Sequence, residues 1–190
     1  MAKTFVRSNE DLPSILRGMD VNPSDYILAV GGSGDQSFAL LEYVQRVKAL
    51  DIDRYQVTHI NKQADCISRQ DYEGFWKRSK GNGYFDRERL DRLNSRIQFF
   101  EIVMGDIIDI CQSETGFNKV YLSNALTGHP DELTPKLRKL WQSLPLGGLA
   151  YASNGNTIYD ALNGSGFIFD EFLTSLTRDE NWNPIILRKG

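Results

Sequence analysis

Cysteine and histidine are scarce in this chain, two of each in 190 residues. Cys66 and Cys111 stand alone in separate segments, with no CxxC pair and no Cys/His ligand spacing. That argues against a zinc site and a disulfide framework, and leaves reduced thiols with a packing role. Basic residues hold no majority either. The 22 Lys and Arg against 25 Asp and Glu give a net charge of −3, which supplies no electrostatic footprint for nucleic acid. No apolar run nears the roughly 18 residues needed to span a bilayer, and the opening MAKTFVRSNE lacks a signal-peptide core. A cytoplasmic protein is expected, with no nucleic-acid partner and no membrane span. Internal repeats, low-complexity tracts and linkers are also missing. Nothing in the composition sets the oligomeric state, and a homodimer is compatible with it.

What is present is an ordinary globular balance, 41% hydrophobic and 25% charged, in a chain long enough to bury a real core. One domain over residues 1–190 is expected, with 1–22 as an N-terminal helical cap. In SNEDLPSILRGMDV, Ser8 is a candidate N-cap, and Leu12, Ile15, Leu16 and Met19 form an apolar face. YILAV reads as a central parallel strand covered on both faces. A glycine turn and a helix carrying Phe38, Leu41 and Val44 follow. RVKALDI is the next strand. QVTHI has strand-like residues, but Val57, Ile60, Ala64 and Ile67 step at helical spacing, so a helix runs from there into DYEGFWKR. After the SKGNG break come a short helix in YFDRERLDRL, the strand IQFFEIVM and a short helix in IIDICQ.

A brief strand is expected around Val120 to Leu122. The next helix has Thr134 as its cap, Pro135 at its first position, and a stripe of Leu133, Leu137, Leu140 and Leu144. The run KLRKL on it is read as a solvated face. LAYAS is a strand, NTIYDALNG a helix, and FIFDEFLTSL and NPIILRKG a closing antiparallel pair. Alternating β and α segments predict an open, mostly parallel sheet with helices on both faces. Ligands bind such sheets beyond the carboxyl ends of the strands. Those ends carry Gly32–Asp35, Asp51, Gly105-Asp106 and Ser123-Asn124.

The turn Gly31-Gly32-Ser33-Gly34-Asp35-Gln36 limits which ligand fits. A P-loop needs a lysine to offset phosphate charge, and no Lys or Arg lies between Tyr26 and Gln45. The dinucleotide fingerprint would place Ser37 where the third glycine belongs, and Asp35 where pyrophosphate approaches a helix N-terminus. S-adenosylmethionine has no phosphate and carries a sulfonium and an ammonium, so it suits the turn better. Asp51, ending the second strand with Ile52 beside it, can then accept hydrogen bonds from both ribose hydroxyls. Asp106, next to Ile107, can accept from the adenine amino group. Asp35 and Gln36 either cap the following helix or face the amino-acid end of the cofactor. Ser123 and Asn124 are placed for the methionine end or the acceptor. His129 is a candidate general base on the acceptor side, and Tyr84 a candidate lid. His59 is read as structural, and Tyr72, Phe75 and Trp76 as packing.

The ordered pieces AVGGSGDQ, VKALDID, MGDIID, YLSNAL and LPLGGLAYAS resemble the motifs of Rossmann-like (class I) S-adenosylmethionine-dependent methyltransferases, from about Ile27 to Gly190. That resemblance implies a seven-stranded sheet with a C-terminal antiparallel hairpin. GSGDQ, ALDIDRYQ and DYEGFW resemble a narrower group, the betaine-lipid enzymes that move a 3-amino-3-carboxypropyl group from S-adenosylmethionine to diacylglycerol. SNED resembles the acidic N-terminal element of that group. This chain is much shorter than the betaine-lipid enzyme, so the diacylglycerol acceptor is not carried over. The resemblance implies a transferase with a small-molecule acceptor. A non-catalytic adenosyl-ligand-binding protein on the same fold stands as the alternative, because no unambiguous acid, base or nucleophile is present.

Overall fold

A computed structural model describes residues 11–79, 83–153, 155–178 and 182–190. The chain begins with α1 (Leu12–Gly18), then β1 (Tyr26–Val30), α2 (Asp35–Leu41) and β2 (Arg46–Asp51). Three helices follow in succession, α3 (Arg54–Ser68), α4 (Tyr72–Ser79) and α5 (Arg87–Arg96), before β3 (Phe100–Met104). Next come α6 (Ile107–Ser113), β4 (Lys119–Ser123), α7 (Pro130–Ser143), β5 (Leu149–Ala152) and α8 (Gly155–Asp160). The chain closes with β6 (Phe167–Phe169), α9 (Glu171–Ser175) and β7 (Ile185–Lys189).

The strands form one sheet in the order β3-β2-β1-β4-β5-β7-β6. All neighbours are parallel except those of β7, which runs antiparallel to both β5 and β6. The mostly parallel sheet and the C-terminal antiparallel hairpin are as expected. Strand order reverses between β1 and β4, so their carboxyl ends diverge and leave a crevice there. One apolar cluster, including Ile27, Phe38, Ile60 and Phe75, packs α1–α5 on one face of the sheet. Another, including Leu28, Ile108, Leu133 and Leu137, packs α6–α8 on the other. Alternate residues of β1 serve opposite clusters, which is why YILAV is apolar throughout.

Several boundaries differ from the sequence reading. The N-cap of α1 is Asp11, whose carboxylate accepts from the Ser14 backbone at 2.9 Å; Ser8 and the rest of SNE lie outside the described residues. The helix carrying QVTHI is confirmed, but it stops at Ser68 because Gln70 takes a left-handed φ of 58°. Asp71 restarts it as α4 by accepting from the Gly74 backbone at 3.0 Å. Ile97–Phe99 form a 3-10 turn rather than strand. The helix α7 starts five residues early, with Pro130 at its first turn and His129 as N-cap, so Pro135 sits inside it. Thr134 does not cap it: its hydroxyl donates to the carbonyls of Pro130 and Ala161. In FIFDEFLTSL only FIF is strand, because Asp170 caps α9 through the Leu173 amide at 3.0 Å.

Candidate functional site

The site grows from the end of β1. The Gly31 amide donates to the Leu50 carbonyl at 2.7 Å, and the Gly34 amide donates back to the Gly31 carbonyl at 2.8 Å, folding residues 31–34 into a tight turn. Gly32 and Gly34 have φ of 50° and 88°, a region that disfavours any Cβ. Gly34 is also closely packed: a Cβ there would lie 2.6 Å from Gln63 Oε1 of α3. With no side-chain cap on Gly34, the turn presents bare backbone just above the start of α2.

Asp51 ends β2 beside this turn. Its Oδ2 accepts from the Gly32 amide at 3.2 Å and its Oδ1 from the Asp53 amide at 2.9 Å. A carboxylate has about four lone-pair sites, so these bonds orient it and leave outward capacity for a ligand's hydroxyls. Burial holds its pKa above the usual carboxylate value and the nearby Asp53 charge adds to this, while the backbone donors pull the other way. Asp53 itself caps α3 through the Tyr55 amide at 2.8 Å. One strand further out, Asp106 caps α6 by accepting from the Ile108 amide at 2.7 Å. Beyond β4 the chain bends at Ser123, which has a φ of 48°. The β4–β5 register shifts at the same place.

Between these strand ends lies a cavity of about 430 Å³, within the usual range for small-molecule sites. Gly32, Ser33, Gln36, Asp51 and Ile52 line one part of it, and Asp106, Ile107, Ser123 and Asn124 another. The structure therefore brings together sequence-chosen residues from four strand ends and the α2 start. Gly31, Gly34 and Asp35 are not on its wall. Gly31 is backed by Ile60, whose Cδ1 would be 2.9 Å from an added Cβ. Asp35 is buried, and its carboxylate accepts from the Ser33 hydroxyl at 3.1 Å. Of the Asp35–Gln36 pair, only Gln36 reaches the cavity.

Both catalytic candidates lie elsewhere. The His129 side chain is exposed and caps α7, its Nδ1 facing the Asp131 amide at 3.5 Å and the Asp131 carboxylate at 3.3 Å. The capping geometry turns the ring to solvent, so it is not part of the cavity wall. Tyr84 forms no lid. Its hydroxyl accepts from Arg89 at 2.9 Å and its ring lies under the same guanidinium. It lines a separate groove beside α1 and α9. The cysteines are buried, and burial pushes the Cys111 thiol up to about 12, in keeping with packing.

Sequence reasoning missed Asp109 on α6 and Lys136 and Lys139 on α7, all on the cavity wall. The lysines were assigned to a solvated face. Their spacing of three residues beside the leucine stripe marks a shared face, but only the packing of α7 on α6 shows that it borders the cavity. Among the described residues no cluster of three or more metal-ligating side chains occurs, and no helix is long and apolar enough to cross a membrane.

Strand order, the antiparallel β7, the glycine turn and the crevice at the β1/β4 switch point decide the architecture. This is the Rossmann-like methyltransferase fold. No protein-family model matches the sequence, and no curated protein matches it. Solved structures do. An rRNA methylase from Streptococcus thermophilus aligns over 100% of this chain and 98% of its own, at 12% identity and a TM-score of 0.54. The precorrin-6y C5,15-methyltransferase of Geobacter metallireducens covers 99% of this chain and 90% of its own, at 12% identity and a TM-score of 0.58. A protein named precorrin 8w decarboxylase, from Methanobacterium thermoautotrophicum, covers 100% and 96%, at 15% identity and 0.55. At such identities the methyltransferase-fold likeness is one of architecture, and the site must speak for the chemistry.

Proposed function

We propose that this chain is a single-domain S-adenosylmethionine-dependent transferase that moves a methyl or a 3-amino-3-carboxypropyl group to a small-molecule acceptor. The observation that carries the reading is the pairing of a cation-free glycine turn with Asp51, whose carboxylate is fixed by the Gly32 and Asp53 amides. A pyrophosphate would meet no cation from the turn and a carboxylate beside it. A ribose diol meets an oriented acceptor. Asp106 spends one oxygen on the Ile108 amide and keeps the other to accept from an adenine amino group. Ile52 and Ile107 offer apolar contact to the flat ring, and Ser33, Gln36, Ser123 and Asn124 offer polar contact to the amino-acid end.

When bound, S-adenosylmethionine supplies an already activated sulfonium carbon. The protein's own task is then to orient the acceptor in line with that carbon and to keep water out. Neither His129 nor Tyr84 is called upon, since neither reaches the cavity. The same observation favours a second reading, a non-catalytic adenosyl-ligand-binding protein. The GSGDQ, ALDIDRYQ and DYEGFW resemblance supports aminocarboxypropyl over methyl transfer. The cofactor wall serves either carbon, so it does not separate them.

The test is incubation with S-adenosylmethionine and candidate acceptors, with by-products followed by mass spectrometry. S-adenosylhomocysteine marks methyl transfer and methylthioadenosine marks aminocarboxypropyl transfer. Binding by calorimetry without either product selects the non-catalytic reading. Absence of binding sinks both.

A further inference from the structure

We infer that Lys136 and Lys139 form an anion-binding subsite, so that the second ligand of this cavity carries a phosphate or carboxylate group. The inference rests on the cofactor reading above, in which the cofactor takes the carboxylate-bearing part of the wall. In α7 the three cations Lys136, Arg138 and Lys139 do different things. Arg138 turns away and donates to the Gly164 carbonyl at 3.1 and 2.9 Å. Lys136 and Lys139, three residues apart, both border the cavity.

Three other lysines are occupied within the chain, whereas Lys62 and Lys77 stand exposed on α3 and α4, away from the cavity. Lys48 pairs with Glu114 at 2.6 Å, Lys119 with Asp25 at 2.7 Å, and Lys189 donates to the Leu144 carbonyl at 2.6 Å. Neither Lys136 nor Lys139 has an ion pair within 4 Å among the described residues. Lys136 forgoes a partner in the favoured helical position, since Glu132 stands four residues before it. Nor does any ion pair bridge the cavity to Asp51, Asp106 or Asp109, though all of these share its wall. The cavity thus holds unlike charges apart. Its carboxylates suit a cation and hydroxyl donors, which S-adenosylmethionine has, while its two ammonium groups, both exposed at the rim, are free to take an anion at the same time. With the glycine turn free of cations, α7 is where such a group is held.

The experiment is acylation footprinting of lysines, read by mass spectrometry on the intact chain. Inorganic phosphate and acetate serve as probes, with and without S-adenosylhomocysteine, and Lys62 and Lys77, exposed and away from the cavity, serve as controls. Severalfold slower acylation of Lys136 and Lys139, with the controls unchanged, is the expected result. Protection by phosphate alone assigns a phosphate-bearing ligand, and by acetate alone a carboxylate-bearing one. In the Lys136→Ala/Lys139→Ala variant, calorimetry should give an unchanged affinity for S-adenosylhomocysteine. If that affinity falls severalfold, or if S-adenosylhomocysteine alone protects both lysines, they serve the cofactor and the inference is overturned. Equal acylation under every condition overturns it too. If S-adenosylhomocysteine does not bind at all, the cofactor reading fails separately.

Discussion

At the scale of single residues, Asp51 bears most of the argument. Hydrogen bonds to a charged group are worth about 1.5–3 kcal/mol each, so losing those to a ribose diol in Asp51→Ala should weaken S-adenosylhomocysteine binding by at least about two orders of magnitude. Calorimetry reads this directly, and an unchanged affinity would remove the ribose assignment. The pH dependence has a defined sign. Burial raises the Asp51 pKa, so on acidification it takes up a proton before an ordinary carboxylate would. The protonated form keeps fewer lone pairs for hydroxyls. Affinity should therefore begin to fall above the usual carboxylate range, and Asp51→Asn should flatten that limb of the profile. Asp51 was legible in the sequence because a strand end is a fixed address. Lys136 and Lys139 were not, because a helix face has no address until its neighbour is known.

At the scale of elements, the helices α3–α5 stand between β2 and β3, tied to the end of α2 by the Glu42 carboxylate and by Arg96, which donates to the Leu41 and Val44 carbonyls. The buried Glu42 side chain accepts from Arg89 at 3.1 and 3.0 Å and from Arg92 at 3.1 Å. Arg89 also donates to the hydroxyls of Tyr43 and Tyr84. Removing one member of a buried ion pair strands the rest. The arginines keep some access to solvent, so Glu42→Ala should cost about 2–3 kcal/mol, at the low end of such losses. Urea unfolding would show it as a lower midpoint with an unchanged slope. Glu42→Gln, which can still accept, should recover part of the loss. The type of most elements was readable from periodicity. Their ends were decided by single contacts, such as Asp11 for α1 and the left-handed Gln70 between α3 and α4. The His129–Pro130 start of α7 was hidden by Thr134-Pro135, a more conventional signal five residues later.

At the scale of the whole molecule, two apolar clusters share one sheet, and β1 belongs to both. A ligand gripping the carboxyl ends of β1, β2 and β3 should therefore stabilise the molecule as a unit. At a ligand concentration of 100 Kd the gain is about 2.7 kcal/mol, which for a chain of this size corresponds to roughly 5–10 °C in Tm. Calorimetric melting with S-adenosylhomocysteine should show this shift, and NAD at equal concentration should give none. An equal shift with NAD would contradict the cation-free-turn argument. The fold was readable at this scale because alternation of β and α leaves few topologies. The cavity's charge separation was not, since it arises between segments more than 80 residues apart, Asp51 and Lys136.

The reversed strand near the sheet's edge also bears on how the molecule is made. Among the described residues β6 pairs only with β7, and β7 alone joins β6 to β5. During synthesis, Phe167–Phe169 are made before Ile185–Lys189, the strand they pair with. At that stage β5 presents a bare edge of its own. Closure waits for Ile185–Lys189 to emerge and slot between two segments already waiting for it. Until then the nascent chain carries an unsatisfied strand edge of the kind that chaperones shield and that neighbouring chains capture.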